Sequence, residues 1–427
     1  MKVLVVGGGG REHALASRLS LDAEVSGVWV YPGNPGMLIT PNISLVGGTV
    51  TFEQTLDLIR EHEIDLVVIG PEKFLFEGYV DRLRSATVAV FGPCRAAAFL
   101  EESKIKSKIF MKEFGIPTSD FGVAHSLVDA NAIIDANPRW KGYVLKLSGP
   151  ALGKGVSVTS TQTEAREAAH QYFLYRPPGL EDGVVVEEKV SGREVSLFYV
   201  CDGEDSRFLA SACDHKRLLD RDTGPNTGGM GAYSPCRWID ESFLKRVEEQ
   251  IVSPTLKGMI AKNTPFSGML FLGLMVNAGQ FSLLEYNTRF GDPETQTFLP
   301  ILQGNLSKLL FAAATGKLKE ISASDYFSKG ASLHVVKAAR GYPGIPGGEP
   351  VETGQPIFGD IALVSGAQLF FAGVKIENDQ LVSIGGRVLG MTGVGPDAET
   401  ARARAYANIN QFAFSGEQYR TDIGGSP

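Results

Sequence analysis

Cysteine is scarce in this 427-residue sequence, which contains only Cys94, Cys201, Cys213 and Cys236. These residues are widely scattered and fit neither a metal-ligand motif nor a disulfide framework, so we expect unpaired thiols in a reducing compartment. The sequence also lacks an apolar run long enough to span a membrane and a signal-peptide pattern at its start. We therefore expect a cytoplasmic protein that has no membrane partner.

An excess of basic charge is missing as well. The 41 lysines and arginines are outnumbered by 48 aspartates and glutamates, which gives a formal net charge of −7. Binding of DNA or RNA generally requires a positively charged surface, so we expect no nucleic-acid partner. The remaining composition, 43% hydrophobic and 21% charged, is typical of a globular protein, and the length allows more than one domain.

Helix and strand patterns alternate in the N-terminal part of the chain. The apolar run Lys2 to Val6 predicts a central parallel strand, and a glycine loop at residues 7–10 separates it from a predicted helix. Such a loop can hold a phosphate, although it can also be a tight turn only. A dinucleotide site is disfavoured because Glu12 replaces the third glycine of that motif. We predict a doubly wound α/β unit with a site for a mononucleotide-sized phosphate.

The stretch from Phe281 to Glu294 combines a predicted strand with a cluster of polar residues. Alternate side chains of a strand point to the same face, so Glu285 and Asn287 are expected to lie together. A carboxylate beside an amide oxygen suits Mg²⁺, or the similar Mn²⁺, when the ion also holds substrate phosphates. The alternative is a strand that runs out into a solvated loop.

Two further segments are rich in glycine. Residues 148–155 lie between predicted strands at 143–147 and 156–159 and form either a lid over a triphosphate or a plain flexible hairpin. Residues 223–235 contain four glycines and two prolines, which predicts an irregular loop. A long irregular loop in a compact domain is more often functional than not.

The chain resembles the phosphoribosylamine–glycine ligase (glycinamide ribonucleotide synthetase) family in four segments: MKVLVVGGGGREHA from residue 1, DHKR from 214, TGPNTGGMGAYSP from 223 and RFGDPETQ from 289. The long glycine segment is the most specific of them. The resemblance implies the ATP-grasp fold in three parts. These are a doubly wound N-terminal domain at 1–102, an ATP-grasp domain at 103–325 with a lid subdomain at about 121–190, and a small α/β domain at 326–427.

The resemblance also implies an activity and its residues. ATP phosphorylates the carboxylate of glycine, and the amine of phosphoribosylamine then displaces phosphate to give glycinamide ribonucleotide and ADP. We expect Mg²⁺ or Mn²⁺ on Glu285 and Asn287, and Arg289 and Asp292 on glycine. The expected ATP contacts are Lys104, Lys146, Gly153, Lys154, Gly155, Glu187, Glu188, Val190 and Glu194. The expected substrate contacts are Gly9, Gly10, Gly70, Pro71, Glu72, Asp214, Lys216, Asn226, Gly228 and Gly229. Only small molecules are expected as partners, and the chain as a monomer or small homo-oligomer.

The lid departs from the family pattern at Ser148, where the family usually has Asp, and at Pro150. These changes motivate one alternative, a nucleotide-binding protein with weak catalysis. A second alternative is an ATP-grasp ligase with another substrate, which the segments at 223–235 and 289–296 disfavour. A third is a dinucleotide-dependent oxidoreductase, which failure to bind NAD or NADP would exclude.

We predict that Glu285→Ala abolishes ADP release from ATP, glycine and phosphoribosylamine, because the change removes the anionic half of the expected metal site. The circular dichroism spectrum should stay that of the parent protein, since one polar side chain at a strand end contributes little to the core. A variant that kept most of its turnover would show that the metal is held elsewhere.

Overall fold

The structure, a computed structural model, describes residues 1–86, 88–149, 155–345 and 348–425. Its helices are α1 Gly10–Leu19, α2 Phe52–His62, α3 Glu72–Phe76, α4 Tyr79–Arg84, α5 Phe99–Glu102, α6 Lys104–Glu113, α7 Leu127–Ala136, α8 Gln162–Tyr175, α9 Glu241–Val247, α10 Ser253–Ala261, α11 Glu294–Phe298, α12 Leu306–Ala314 and α13 Ala398–Ile409. A π-helical turn at Glu248–Val252 joins α9 to α10, and short 3₁₀ segments lie at Pro35–Ile39, Leu299–Ile301, Leu318–Glu320, Ala323–Asp325 and Ile361–Leu363.

The strands are β1 Lys2–Gly7, β2 Gly27–Pro32, β3 Ile43–Leu45, β4 Leu66–Ile69, β5 Ala89–Phe91, β6 Phe121–Ala124, β7 Tyr143–Leu147, β8 Val156–Thr159, β9 Val184–Glu188, β10 Arg193–Asp202, β11 Ser206–Asp214, β12 Arg217–Leu219, β13 Thr223–Asn226, β14 Gly231–Ser234, β15 Ser267–Asn277, β16 Gln280–Asn287, β17 Ala331–Ala338, β18 Phe358–Gly359, β19 Ala367–Phe371, β20 Val374–Glu377, β21 Gln380–Ser383, β22 Arg387–Gly395 and β23 Phe412–Ala413. Among the described residues, no helix combines the length and the apolar character that crossing a membrane requires.

The N-terminal part of the chain is a five-stranded sheet of order β3-β2-β1-β4-β5, in which every pairing is parallel. Its central strand β1 is fully buried from Val3 to Val6, as a continuous apolar run requires. The predicted doubly wound unit is therefore confirmed. The direction of winding changes between β1 and β4, and open parallel sheets bind their ligands beyond the strand ends at such a point. The loops at residues 7–10 and 70–72 lie there.

A larger sheet of eight strands has the order β16-β15-β10-β11-β14-β17-β22-β19. Its first five strands come from the central part of the chain and its last three from the C-terminal part. The antiparallel pairing of β14 with β17 joins the two parts into one sheet. The C-terminal segment thus extends the sheet of the central part by three strands.

Helix α13 packs closely on β22 at Gly393. A Cβ atom at this position would collide with the backbone of Ala401 and Ala405 in α13. Glycine therefore permits the close approach of helix and strand, and the core around Val388 and Met391 is sealed by that contact.

A third sheet, of order β6-β9-β7-β8, forms with α7 and α8 a small unit that has its own core. The predicted strands at 143–147 and 156–159 are confirmed at the expected bounds and pair antiparallel as β7 and β8. Most of the glycine-rich segment between them, residues 150–154, lies outside the described residues.

Three predicted elements differ from the structure. The supposed irregular segment 223–235 contains β13, which pairs with the adjacent strand β12, and β14, which forms because its partner β17 lies far away in the sequence. The helical pattern of the sequence from Glu101 to Phe114 predicts one helix, but the helix is broken at Ser103, where extended backbone lets the hydroxyl accept from the Lys106 N–H and cap α6. The sequence pattern likewise predicts one helix at 299–315, but the structure has a short 3₁₀ segment at Leu299–Ile301, and α12 begins only at Leu306.

The expectation of unpaired cysteines is wrong for two of the four. Cys213 and Cys236 form a disulfide with their Cα atoms 6.5 Å apart. They are separated by 23 residues in the sequence, but β11 and β14 are neighbours in the sheet and bring them together. Cys94 and Cys201 are free.

We predict that Phe198→Ala lowers the free energy of unfolding by about 3–5 kcal/mol, because Phe198 is fully buried and its removal leaves a cavity. Its ring centroid lies 4.6 Å from that of Phe271 and 4.9 Å from that of Phe298. Urea unfolding followed by fluorescence measures the change. Phe358→Ala serves as the matched control, because that ring is 65% exposed and should shift the midpoint little. Equal effects of the two changes would contradict this account of the core.

Candidate active site

The carboxyl end of β16 places Glu285 and Asn287 on one face. Both residues are partly exposed, whereas Tyr286 between them is buried, so the predicted alternation is confirmed. Glu285 lies opposite Gly273 of β15. The Glu285 carboxylate contacts the Lys104 ammonium at 3.2 Å. Burial opposes its ionisation, but Lys104 and other lysines outweigh that effect and hold the pKa of Glu285 well below its usual range.

Lys104 begins helix α6 and is held there by the base of the lid. Its backbone N–H donates to the Ser148 carbonyl at 3.1 Å, and the next N–H, of Ile105, donates to the Ser148 hydroxyl at 3.2 Å. The first N–H groups of a helix have no partner within the helix and need such acceptors. Ser148 therefore supplies a side-chain acceptor at a position where the family usually has Asp.

Two more lysines enclose a buried carboxylate beside Lys104. Glu187 of β9 forms ion pairs with Lys108 of α6 and Lys146 of β7, and it accepts from the Ser119 hydroxyl at 2.6 Å. Burial raises the pKa of Glu187, but the two lysines outweigh burial and lower it to about 2. Burial lowers the pKa of Lys108 to about 8, although Glu187 opposes the change. Lys146 also donates to the Leu284 carbonyl at 3.2 Å, which connects the small sheet to β16.

A second charged cluster lies further along the large sheet. Lys216 is paired with Glu194, and Asp214 lies nearby. Burial raises the pKa of Asp214 to about 8, and the charges of Glu294 and Glu194 add to this effect against the opposing charge of Lys216. Burial also raises the pKa of Glu294. The predicted ATP contact Glu194 and the predicted substrate contacts Asp214 and Lys216 are thus brought together.

The N-terminal glycine loop uses part of its hydrogen-bonding capacity internally. The Gly9 N–H donates to the Glu12 carboxylate at 2.7 Å, and the other oxygen of Glu12 pairs with Arg11 at 2.6 Å. A Cβ atom on Gly10 would lie 2.7 Å from the Gln296 amide nitrogen, so this loop packs directly against α11. The carboxylate of Glu12 also lies against Gly70. Glu12 is therefore a structural part of the loop, and the phosphate site stays a prediction.

Arg289 and Asp292 lie between the N-terminal loops and the C-terminal part. The Arg289 guanidinium contacts Glu72 at 3.1 Å through Nε and Glu101 at 3.0 Å through Nη2. Asp292 contacts Arg387 at 3.3 Å and accepts from the Gln296 amide at 2.7 Å. Burial opposes ionisation of Asp292, but the arginines outweigh it and lower its pKa.

The predicted contacts Gly228 and Gly229 face residues of the C-terminal part. Arg387 donates through Nη1 to the carbonyls of Gly228 and Asp292, each at 2.7 Å. The Gly228 N–H donates to the Tyr342 hydroxyl at 2.9 Å, and the Gly229 N–H donates to Thr227. The backbone of this segment is therefore fixed from the C-terminal side.

Several residues of the site escaped the sequence analysis, namely Glu101, Lys108, Tyr342 and Arg387. Lys108 lies in a lysine-rich helix of the kind that is usually solvated. Its one signal is the spacing of four from Lys104, which places both side chains on one helix face. Arg387 follows the glycines at 385 and 386. Nothing in this local sequence indicates that its side chain pairs with the carboxylate of Asp292.

The remaining predicted residues are placed as follows. Gly153 and Lys154 lie outside the described residues, and Gly155 accepts from the Leu147 N–H at 2.8 Å. The Glu188 N–H donates to the Asp120 carbonyl, and Val190 follows two residues later. Asn226 ends β13, which pairs with β12. Pro71 precedes α3 beside the N-terminal loop. Their roles stay predictions.

A divalent metal fits the donors at the end of β16. The described residues contain no group of three or more His, Cys, Asp or Glu side chains that could bind a metal by themselves. Glu285 is anionic, and the Asn287 amide oxygen has only a long contact, 3.5 Å, with Arg289. Two oxygen donors suit a hard cation whose other ligands are phosphates and water.

The small and the large sheet meet where Lys146 reaches β16, and Lys104 and Glu285 lie at that junction. A lid sheet that carries a lysine above a strand with a carboxylate and an amide is the arrangement of ATP-grasp ligases, and it defines the class of this protein.

Comparison with known proteins defines the family. The chain matches the N domain of phosphoribosylglycinamide synthetase at residues 1–101, its ATP-grasp domain at 102–295 and its C domain at 332–426. It therefore belongs to the phosphoribosylglycinamide synthetase family. Relatives named phosphoribosylamine–glycine ligase occur in Chlorobaculum tepidum, 40% identical over 99% of both chains, and in Streptomyces coelicolor, 42% identical over 99% of this chain and 98% of the relative.

Solved structures agree with this result. The structure of the phosphoribosylamine–glycine ligase of Thermotoga maritima matches with a TM-score of 0.84 at 34% identity. The match covers 99% of this chain and 100% of the Thermotoga maritima chain. The biotin carboxylase domain of a Hydrogenobacter thermophilus enzyme, solved with MgADP, has a TM-score of 0.68 at 16% identity over 98% of this chain and 91% of that chain, and shares the fold alone.

We predict that Glu187→Gln lowers the free energy of unfolding at neutral pH by about 3–5 kcal/mol, because two buried lysines lose their anionic partner. The folded pKa of Glu187 is about 2, below the ordinary value of 4.5, so its stabilisation is present above pH 4.5 and is lost toward pH 2. The difference between variant and parent should therefore shrink in that range. Urea unfolding at several pH values measures it, with Glu188→Gln as the control. A difference that does not change with pH would contradict the assignment.

Proposed function

We propose that this chain joins glycine to 5-phosphoribosylamine with consumption of ATP, forming glycinamide ribonucleotide, ADP and phosphate in purine biosynthesis. The observation that carries the proposal is the contact of Lys104 with Glu285 beneath the lid sheet. It places a positive charge for phosphates beside an anionic oxygen donor for a metal. The end-to-end similarity to enzymes named for this reaction supports the choice of substrates.

ATP is proposed to bind between the small sheet and β16. Lys104 and Lys146 would contact its phosphates, and Gly153, Lys154 and Gly155 of the lid segment would cover them. The buried Glu187 would act by holding Lys146, while Glu188 and Val190 present backbone groups to adenine and Glu194 reaches the ribose. Glu285 and Asn287 would hold Mg²⁺ or Mn²⁺. When bound, such an ion neutralises charge on the phosphates and helps to align them.

The chemistry proposed is two successive transfers. A glycine carboxylate oxygen bonds to the γ-phosphorus of ATP as the bond to ADP breaks, which gives glycyl phosphate. The amine of phosphoribosylamine then bonds to the acyl carbon, phosphate leaves and the amine loses a proton. Phosphoryl transfer needs alignment and charge neutralisation rather than a side-chain nucleophile, which is what the lysines supply.

Glycine is proposed to lie between Arg289 and Asp292, whose charges match its carboxylate and its ammonium group. Phosphoribosylamine would bind on the side of the N-terminal loops. Its proposed contacts are Gly9, Gly10, Gly70, Pro71, Glu72, Asp214, Lys216, Asn226, Gly228 and Gly229.

We propose that the three parts at 1–102, 103–325 and 326–427 act together as one catalytic unit. Its partners would be the small-molecule substrates alone, without nucleic acid, and the chain would act as a monomer or small homo-oligomer. A cytoplasmic location is proposed because ATP is supplied there.

The test is ADP release from ATP and Mg²⁺ in the presence of glycine and freshly generated phosphoribosylamine, with each component omitted in turn. We expect release that requires all components and matches the glycinamide ribonucleotide formed. Release that is independent of glycine would indicate another ATP-grasp ligase. Binding of ATP without any turnover would favour a nucleotide-binding protein and overturn the proposal.

A further inference from the structure

Glu101, on the short helix α5, uses its two carboxylate oxygens for two different groups. Its Oε2 accepts from the backbone N–H of Thr288 at 2.8 Å and from the Thr288 hydroxyl at 3.0 Å. Its Oε1 contacts Arg289 Nη2 at 3.0 Å. The side chain is only 11% exposed. One carboxylate thus fixes both the backbone and the side chain of the segment that follows β16.

Arg289 is held from two sides as a result. Glu101 contacts Nη2, and Glu72 of the N-terminal part forms an ion pair with Nε at 3.1 Å, although the Nε–H is not aligned for a hydrogen bond. An arginine side chain has five N–H donors in a plane. Nη1 donates to the Phe290 carbonyl at 3.2 Å, and within the described residues its second N–H has no protein acceptor. The orientation of the guanidinium plane is therefore set by two carboxylates, and its Nη1 edge stays available.

We infer that Glu101 is a positioning residue for glycine: it orients Arg289 so that Nη1 meets the glycine carboxylate. The inference rests on the proposed function, since glycine is the substrate assigned to Arg289. Glu101 contacts no reacting atom in this account. Its effect is to keep one cationic edge in place, because a carboxylate substrate is aligned for phosphorylation only when its partner is fixed.

The chemistry of the contact makes glutamine an informative replacement. Glutamine has the shape of glutamate but only one oxygen, and its amide NH₂ group is a donor. In Glu101→Gln the NH₂ group must therefore face either the Thr288 N–H or the Arg289 guanidinium, both of which are donors. One of the two contacts is lost while the volume of the side chain is kept.

The experiment compares Glu101→Gln with Glu102→Gln in the full-length chain. Glu102 is the next residue of the same helix, and its carboxylate has no ion pair within the described part of the chain. We expect Glu101→Gln to raise the KM for glycine by about tenfold or more, with the KM for ATP within about twofold of the parent. Glu102→Gln should leave both constants unchanged. ADP release with each substrate varied in turn measures them.

Two results would overturn the inference. A glycine KM within about twofold of the parent would show that Arg289 needs no help from Glu101. An equal rise of both KM values would show a general effect on α5 and α6 instead of positioning. Failure of the proposed function itself is recognised separately, because the parent and Glu102→Gln would then also lack glycine-dependent turnover.

A second variant keeps the test decisive when Glu101→Gln does not fold. Glu101→Asp keeps the charge and both acceptor oxygens but withdraws them by one methylene group. We expect an intermediate rise of the glycine KM, again without a change in the KM for ATP. In a protein that already carries Arg289→Lys, Glu101→Asp should raise the glycine KM less than it does in the parent. The reason is that the guanidinium group that Glu101 positions has already been replaced. Independent, additive effects would contradict the coupling of Glu101 to Arg289.

Discussion

The candidate site depends on pairing carboxylates with lysines, at Glu187 in a buried position and at Glu285 in a half-buried one. Glu187 is enclosed by Lys108 and Lys146, and Glu285 contacts Lys104. Removing an ion from water is unfavourable, so charges persist here only because each has a partner of opposite sign beside it. The lysines come from α6 and β7 and the carboxylates from β9 and β16. The same contacts therefore hold the lid sheet to the large sheet and concentrate positive charge where phosphates would bind.

Elements defined by their own residues were predictable from the sequence. The strands β1 and β7 are largely apolar runs beside glycines, β8 follows Gly155 directly, and the structure has all three where the pattern indicates. Elements that need a distant partner were not predictable. β14 lies in a segment with the composition of a loop and becomes a strand only because β11 and β17 flank it. The disulfide between Cys213 and Cys236 depends on the same neighbourhood.

The candidate site was likewise predictable only where a role depends on neighbouring residues in the sequence. Strand alternation placed Glu285 and Asn287 on one face, because that property is local. Lys108 could not be recognised, since only the fold shows that its ammonium group is buried against Glu187 of a distant strand. Glu101 and Arg387 belong to the same class: each acts by contacting a residue far away in the sequence. Roles that arise from pairing between segments are invisible until the segments are placed.

The continuity of the eight-stranded sheet has a consequence for biosynthesis. During translation β14 leaves the ribosome well before β17, so one edge of the growing sheet carries unpaired N–H and C=O groups in the interval. Such an edge can pair with the wrong strand or with another chain. The nascent protein therefore carries an open sheet edge from completion of β14 until arrival of β17, and a chain that ended in this interval would retain that edge permanently.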